Sequence, residues 1–143
     1  MIYRTRPAKF SPKFEVVSCF IELNKEILLL HRQDHKPEGN TWGIPAGKVD
    51  FEETPITSIV REIREETGNE LPPFTLSYLG RLFVRYPSYD FIYHTYQTRL
   101  IRKPEIVISQ SEHKRFMWTS LKDSLNLPLI RDLDACIRLF YKI

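Results

Sequence analysis

Hydrophobic and polar residues along the chain follow two patterns, one typical of strands and one typical of helices. Stretches rich in β-branched and aromatic residues, bounded by turn residues, predict strands. These stretches cover residues 14–23, 26–32, 42–45, 74–86, 91–101 and 115–121. Only Asn24 and Lys25 separate the first two strands, which predicts a β-hairpin. The Pro-Ser-Tyr-Asp sequence at 87–90 predicts a turn between the two long strands.

Two other segments carry apolar residues at spacings of three and four, as expected for helices with one buried face. The first helix is predicted to have Thr54 as its N-cap and Pro55 as its first residue, and to run to Glu66. Gly68 is a natural C-terminal stop. The second helix is predicted within residues 127–141. Its apolar face consists of Ile130, Leu133, Ile137 and Phe140. This order of elements predicts an α/β (α+β) fold with a mixed sheet covered by helices.

Composition indicates an ordinary single domain, residues 1–143, since 42% of the residues are hydrophobic and 27% are charged. The 21 basic and 18 acidic residues give a net charge of +3, and the basic residues are scattered, which argues against a nucleic-acid-binding surface. Cys19 and Cys136 lie in apolar stretches without metal-ligand spacing, so we expect buried, reduced thiols. No apolar run suits a signal peptide or a membrane span. The sequence therefore predicts a soluble, cytoplasmic protein.

One short segment, residues 47–68, is unusually rich in carboxylates. Within the predicted helix, Glu62, Glu65 and Glu66 stand at positions i, i+3 and i+4, which brings them together on one side. Glu53 precedes the helix, near its positive N-terminal end. The two flanking arginines are too few to neutralise all these acids. Clustered oxygen ligands of this kind are typical of a Mg²⁺ or Mn²⁺ site, although the spacing alone fits a solvated, charged helix face equally well.

Residues 47–69 resemble the signature of the Nudix hydrolases, Gly-x5-Glu-x7-Arg-Glu-U-x-Glu-Glu-x-Gly-U, in which U is a bulky aliphatic residue. Eight of the nine specified positions agree, namely Gly47, Glu53, Arg61, Glu62, Ile63, Glu65, Glu66 and Gly68. The ninth, Asn69, is polar, a departure that we expect to affect stability more than chemistry. The preceding Trp-Gly-Ile-Pro-Ala-Gly-Lys also resembles the approach to the family's glycine loop. The resemblance implies a Nudix-type α/β/α sandwich, with a mixed β-sheet flanked by helices.

The resemblance also implies an activity: hydrolysis of the diphosphate linkage in a nucleoside diphosphate joined to another moiety. Water attacks phosphorus in such reactions, with Mg²⁺ (or Mn²⁺) as the cofactor. By this resemblance Glu62, Glu65 and Glu66 are the metal ligands. The backbone carbonyl of Ala46, where many relatives have glycine, is a further candidate ligand. The choice of metal and the number of metal ions stay open.

Other site residues follow from the same resemblance. Glu53 is implied to support the metal site, and Arg61 to orient Glu53 and Glu65. The general base is either a signature glutamate or Glu112, which lies in the loop before the last strand and is also a candidate metal ligand. Its neighbour His113 is expected to be solvated. Lys48 is a candidate for binding phosphate, with an exposed loop lysine as the alternative.

The nucleoside end of the substrate is less well defined. Arg32, Phe14 and Arg81 are candidates for lining the substrate pocket, although the sequence favours an ordinary strand-edge or core role for each of them. Tyr86 resembles a position of dinucleoside-polyphosphate relatives, whereas the adjacent Pro87 resembles one of ADP-ribose relatives. The substrate therefore stays open. The compact chain favours a nucleoside triphosphate or another small nucleoside diphosphate derivative.

The expected partner is thus a small-molecule nucleoside diphosphate derivative, with no stable nucleic acid and no membrane. The long strand pair at residues 74–101 is compatible with a homodimer. A non-catalytic nucleotide-binding module is the alternative from another class, and the presence of every signature acid argues against it. Isomerisation, or removal of phosphates one at a time, is the alternative among enzymes, and product analysis separates these reactions.

Overall fold

The computed structural model describes all 143 residues, which form eight strands and three α-helices. The strands are β1 Ile2–Tyr3, β2 Pro12–Leu23, β3 Glu26–Arg32, β4 Trp42–Gly43, β5 Ala46–Lys48, β6 Ser77–Arg85, β7 Asp90–Arg99 and β8 His113–Ser120. The helices are α1 Pro55–Thr67, α2 Leu121–Ser124 and α3 Leu133–Tyr141. Strand β6 starts later than predicted because Pro73–Thr75 form a 3₁₀ turn. No helix has the length and apolar character needed to cross a membrane.

The strands form one mixed sheet in the order β1-β6-β7-β2-β3-β4, with β5 beside β2 and β8 beside β3. Strands β2 and β7 run parallel at its centre. The predicted hairpin joins β2 to β3, and Asn24 and Lys25 have φ angles of 49° and 65°, as a tight hairpin turn requires. The two strands then diverge, because they pair only beside this turn. Strand β5 takes the vacated edge of β2 and brings the segment before α1 into the sheet.

The core occupies both faces of the sheet. On one face, α1 buries Ile59 and Ile63 against β2 and β3. On the other face, α3 buries Leu133 and Ile137 against a cluster that includes Phe20. Each fully buried isoleucine contributes on the order of 2 kcal/mol to stability. The predicted α/β/α sandwich, with a mixed sheet flanked by helices, is therefore confirmed. A homodimer contact through β6 and β7 stays a prediction.

Helix α1 begins as predicted, since Thr54 and Thr57 form a reciprocal capping box. The Thr57 hydroxyl accepts a hydrogen bond from the Thr54 backbone N–H at 3.1 Å, and the Thr54 side chain accepts one from the Thr57 backbone N–H. At the other end Gly68 adopts φ 77°, the left-handed conformation that favours glycine. The helix includes Thr67, one residue beyond the predicted end. Local capping chemistry thus fixes the helix that carries the signature acids.

The C-terminal helix is shorter than predicted. Helix α3 begins only at Leu133, and Ile130 lies outside it. The Ile130 backbone N–H instead donates to the Trp42 carbonyl at 2.9 Å, so this part of the chain runs beside the sheet edge. Asp132 then turns the chain into the helix with φ 66°. Backbone pairing with β4 therefore replaces the first helical turns that the apolar spacing predicts.

Asn69, the one departure from the family signature, links the end of α1 to a later segment. Its side-chain amide donates to the carbonyls of Thr67 at 3.0 Å and Glu105 at 2.9 Å. The Val107 backbone N–H also donates to the Thr67 carbonyl at 2.9 Å. The hydrogen bonds of Asn69 therefore hold the end of α1 in place, a role that the family signature gives to the apolar packing of an aliphatic residue.

We expect Asn69→Ala to lower the free energy of unfolding by about 1–2 kcal/mol, because each lost side-chain hydrogen bond contributes on the order of 1 kcal/mol. Activity should be unchanged, since the Asn69 side chain contacts the C-terminal end of α1 and not the signature acids. Urea unfolding measures the change, with the exposed neighbour Glu70→Ala as the matched control. Equal unfolding midpoints for the two variants would contradict a stabilising role for Asn69.

Candidate metal and substrate site

Arg61 lies at the centre of the signature acids. Its Nε and Nη2 each donate to Glu53 at 3.0 Å. Its Nη1 donates to Glu62 at 2.9 Å and to Glu65 at 3.2 Å. The guanidinium also lies within 3.3 Å of the Lys48 carbonyl. One arginine, 19% exposed, therefore brings three of the predicted acids together and fixes their orientation.

Glu53 is anchored by protein donors before α1 begins. Its Oε1 accepts hydrogen bonds from the Ser58 hydroxyl at 2.7 Å and the Asp50 backbone N–H at 3.1 Å. The hydrogen bonds from Arg61, followed by the one from Ser58, lower the pKa of Glu53 to about 2. Glu53 is thus ionised throughout the neutral range, and its lone pairs are already engaged by the protein.

Glu66 is the most deeply buried acid, with 3% of its surface exposed. Its Oε1 accepts a hydrogen bond from the Ala46 backbone N–H at 2.8 Å. Burial raises the pKa of Glu66 well above its usual value. Ala46 lies in β5 with no positive φ, so a residue with a Cβ fits where many relatives have glycine. The carbonyl predicted as a ligand thus belongs to a residue that also holds Glu66.

Glu62 rests directly against the backbone of Gly47. A Cβ added at position 47 would overlap the Glu62 carboxylate, so this close approach requires glycine. Burial raises the pKa of Glu62 to about 7, although the nearby Arg61 charge opposes the shift. The first glycine of the signature therefore makes room for one of its acids.

Glu62 should make the metal-free protein less stable as the pH rises from about 5 to about 7.5. In this range the folded state keeps a proton on Glu62, whose pKa is about 7, while the unfolded chain has lost it at its ordinary pKa of about 4.3. The folded state binds more protons, so stability falls with rising pH. Glu66 contributes in the same direction. Melting temperatures measured in EDTA across this range test the effect.

Glu62→Gln should make this fall in melting temperature shallower, because glutamine does not titrate. Glu65→Gln is the matched control, since the Glu65 side chain is 52% exposed. Added Mg²⁺ should raise the melting temperature of the unsubstituted protein most at the alkaline end, where the carboxylates are ionised. A melting temperature that rises with pH in EDTA would contradict the buried position of Glu62.

The start of β8 brings two residues from a distant part of the chain to Glu66. One ligand atom each of Glu66, Glu112 and His113 lies within 4.8 Å of the others. His113 is only 5% exposed, so the expectation of a solvated histidine is wrong. Burial, followed by the charges of Arg32 and Lys36, lowers the pKa of His113 to about 4. The imidazole is therefore neutral at pH 7.

A cavity of about 420 Å³ opens beside these residues. Glu66 and His113 contribute to its lining. Other lining residues are aromatic and contact one another: the ring centres of Phe14 and Phe91 are 5.5 Å apart, and those of Tyr86 and Phe91 are 5.1 Å apart. The cavity thus joins the acidic cluster to an aromatic surface.

Most of the predicted substrate-binding residues line this cavity. Arg32, Lys48, Phe14 and Tyr86 are all part of its lining, and the Lys48 ammonium lies 4.2 Å from the centre of the Phe14 ring. Arg81 is absent from the lining. It is exposed, and its guanidinium lies over Phe83 at 5.2 Å. Arg81 therefore has the strand-edge role that the sequence favoured, and its candidacy for the pocket is wrong, because its position in β6 directs it away from the cavity.

The sequence interpretation missed several lining residues. Phe91 and Tyr93 both line the cavity, and their two-residue spacing on a predicted strand could have identified a shared face. Arg131 had no such signal, because it fell within the overlong predicted helix. Its guanidinium lies 5.1 Å from the centre of the Tyr86 ring, and its backbone N–H donates to Glu38 at 2.8 Å. These contacts depend on how the C-terminal segment folds back onto the sheet.

Comparison with known proteins adds four findings: one family match, one relative by sequence and two similar solved structures. The NUDIX domain family model matches residues 12–140. The CTP pyrophosphohydrolase of Escherichia coli is 29% identical over 119 residues, which cover 80% of this chain and 82% of that protein. The MutT protein from Methanosarcina mazei superposes with a TM-score of 0.79 at 23% identity, covering 95% of this chain and 97% of that one. The NUDIX domain of Shewanella oneidensis NrtR, in complex with ADP ribose, gives a TM-score of 0.76 at 20% identity over 96% and 92% of the chains. The two structural matches show a common fold.

Proposed function

Because this chain belongs to the NUDIX family of pyrophosphohydrolases, which act on nucleoside diphosphate derivatives, we propose that its substrate is a nucleoside triphosphate. Hydrolysis of one phosphoanhydride bond by water would release a nucleoside monophosphate and pyrophosphate. The observation that carries this proposal is the cluster of signature carboxylates, whose buried member Glu66 lines a cavity with an aromatic surface.

The site residues fit a divalent cation. Glu62 and Glu66 are carboxylates whose pKa values burial raises, so their ionised forms need a nearby positive charge to be stable. Oxygen donors of this type suit Mg²⁺ or Mn²⁺. We assign Glu62, Glu65, Glu66 and the carbonyl of Ala46 as the ligands. When bound, the cation neutralises the charge that develops on the phosphate oxygens and lowers the pKa of the attacking water.

Arg61 and Glu53 would hold these ligands in place before the substrate arrives. Arg61 donates to Glu53, Glu62 and Glu65 at the same time. Glu53 is in turn anchored by Ser58, so the guanidinium of Arg61 is held by a carboxylate that is itself fixed. Supporting residues of this kind keep metal ligands in a productive orientation, and their loss typically lowers activity 10–100-fold.

The cavity offers separate contacts for the phosphates and for the base. The cationic side chains of Lys48 and Arg32 line it and can bind phosphate oxygens. The aromatic rings of Phe14, Tyr86 and Phe91 offer faces on which a nucleobase can stack. We propose that the phosphates lie beside the lysine and the acidic cluster, and the base beside the rings.

Two carboxylates can accept the proton of the attacking water. One is the signature residue Glu65, which is 52% exposed and in that role would leave the cation to Glu62, Glu66 and Ala46. The other is Glu112 of the distant loop. Replacing the true acceptor with glutamine should remove the acidic limb of the pH profile of kcat. Replacing the other residue should lower kcat while leaving that limb in place, so the two single variants decide between them.

The size of the cavity supports a mononucleotide substrate. At about 420 Å³ it lies near the small end of ligand pockets, which span roughly 300–1,000 Å³. A single nucleotide therefore fits more readily than a dinucleoside polyphosphate. A relative that covers 80% of this chain is named a CTP pyrophosphohydrolase, which supports the same substrate class.

A nucleotide panel tests the proposal. The purified protein is incubated with canonical and oxidised nucleoside triphosphates, ADP-ribose, nucleotide sugars and dinucleoside polyphosphates, with and without Mg²⁺, and the products are identified by chromatography. Metal-dependent release of monophosphate and pyrophosphate from a triphosphate is expected. The double variant Glu65→Gln with Glu66→Gln should be inactive, and the exposed Glu70→Gln should remain active. Cleavage of ADP-ribose alone would overturn the substrate class, and tight binding without turnover would indicate a binding module.

A further inference from the structure

The imidazole of His113 lies beside the acidic cluster, and the proposed chemistry gives it no role. It is 5% exposed, and it lines the cavity together with Glu66. Its Nδ1 has no hydrogen-bond partner, and its Nε2 is 3.8 Å from Glu66 Oε2, longer than a hydrogen bond. Buried polar side chains without partners are rare in folded proteins. The Nε2 atom of His113, which faces the Glu66 carboxylate without a hydrogen bond to it, is therefore free to bind a ligand shared with that carboxylate.

The protein holds this imidazole at a defined position. The His113 backbone N–H donates to the Ser109 carbonyl at 2.9 Å, and the Gln33 backbone N–H donates to the Glu112 carbonyl at 2.9 Å. The Gln33 side chain also donates to the Gln110 carbonyl at 2.8 Å. These hydrogen bonds attach the loop before β8 to the end of β3. The backbone that carries the His113 ring is therefore fixed relative to Glu66.

The distances suit one cation shared by Glu66 and His113. Two ligand atoms that each lie about 2.1 Å from the same ion are at most about 4.2 Å apart, and Nε2 and Oε2 are 3.8 Å apart. The other oxygen of Glu66 accepts the hydrogen bond from Ala46, which leaves Oε2 as the oxygen that faces the histidine. Glu112 is the third member of the cluster.

We propose that His113 Nε2 is a nitrogen ligand of the divalent cation held at Glu66, which gives this centre a mixed nitrogen and oxygen donor set. The inference rests on the cation site of the proposed function and adds a ligand outside the signature. Imidazole binds Mn²⁺ and later transition metals more readily than it binds Mg²⁺. The centre should therefore prefer Mn²⁺ over Mg²⁺ more strongly than a site made only of carboxylates would.

Pulsed electron paramagnetic resonance of the Mn²⁺-loaded protein tests this ligand directly. A coupled ¹⁴N nucleus is expected in the unsubstituted chain, and ¹⁵N labelling of histidine should convert its signal to that of ¹⁵N. His113→Gln should abolish the histidine signal. The matched control His35→Gln, which changes an exposed histidine, should keep it. Unfolding curves check that both variants are folded, and the labelled unsubstituted protein decides the question if His113→Gln is not.

Metal affinities give a second readout. Calorimetry should show that His113→Gln weakens Mn²⁺ binding about 10–100-fold and Mg²⁺ binding by a smaller factor, whereas Glu66→Gln weakens both. Mn²⁺ binding without a histidine signal would overturn this inference and leave the carboxylate site standing. Failure of the unsubstituted protein to bind either cation would overturn the proposed function itself, so the two failures are distinguishable.

Discussion

Glu66→Gln should reduce kcat by about 10³-fold or more, the largest single effect we expect. Glu66 is 3% exposed at the wall of the cavity, and the substitution removes the negative charge of a proposed cation ligand. Cation binding at such sites contributes several kcal/mol of transition-state stabilisation, and about 4 kcal/mol corresponds to roughly 10³-fold. Steady-state kinetics at saturating Mg²⁺ measures the loss.

The same variant should remain folded, which separates chemistry from stability. The glutamine amide retains an oxygen that can accept the hydrogen bond from the Ala46 N–H, now at 2.8 Å. It also removes a group whose pKa is raised by burial, so the metal-free variant should melt at the same or a higher temperature at pH 8. Glu70→Gln, at an exposed position near the end of the same helix, is the control. Retention of more than about a tenth of the activity would rule out Glu66 as an essential ligand. Even the substitution of a residue that only supports a metal ligand lowers activity about tenfold.

Gly47→Ala should reduce kcat by about 10²-fold, the second largest effect. The new Cβ would overlap the Glu62 carboxylate, and this carboxylate sits at the end of a flexible side chain that can move away. A displacement of about 1 Å at a reacting centre can lower the rate about 10²-fold. The backbone at position 47 has no positive φ, so alanine itself is not strained there.

Stability measurements identify the cause of this loss. The free energy of unfolding of Gly47→Ala should change by less than about 1 kcal/mol, because the clash is relieved by a side chain at the cavity edge. At Gly43 a Cβ would meet only Ile130, at 3.5 Å, an ordinary contact, so Gly43→Ala is the matched folding control. Adding the shorter side chain of Glu62→Asp to Gly47→Ala should give a non-additive loss in a double-mutant cycle. Strict additivity of the two losses would show that the positions do not interact.

Helix α1 and its acids could be predicted from the sequence because they depend on local interactions. The N-cap Thr54, the apolar stripe through Ile59 and Ile63, and Gly68 all act within a few residues of one another, so their spacing alone predicts α1. The same periodicity predicts that Glu62 and Glu66 share a side of that helix. The family signature adds the identity of the site.

Longer-range pairing decided the rest. His113 reaches Glu66 only because β8 pairs with β3, which ends near Arg32, and no local pattern encodes that register. Phe14 meets Phe91 through the parallel pairing of β2 with β7. Backbone pairing with Trp42 delays α3 despite its helical spacing.

The sequence by itself therefore determined the helix, its acids and the family to which the chain belongs, because caps and periodicity act over one or two turns of chain. The tertiary structure alone decided which distant residues complete the site and form the cavity. Such contacts join residues dozens of positions apart, as Gln33 and Gln110 are joined at 2.8 Å. Their formation depends on strand order, register and the path of the loops, to which every part of the core contributes.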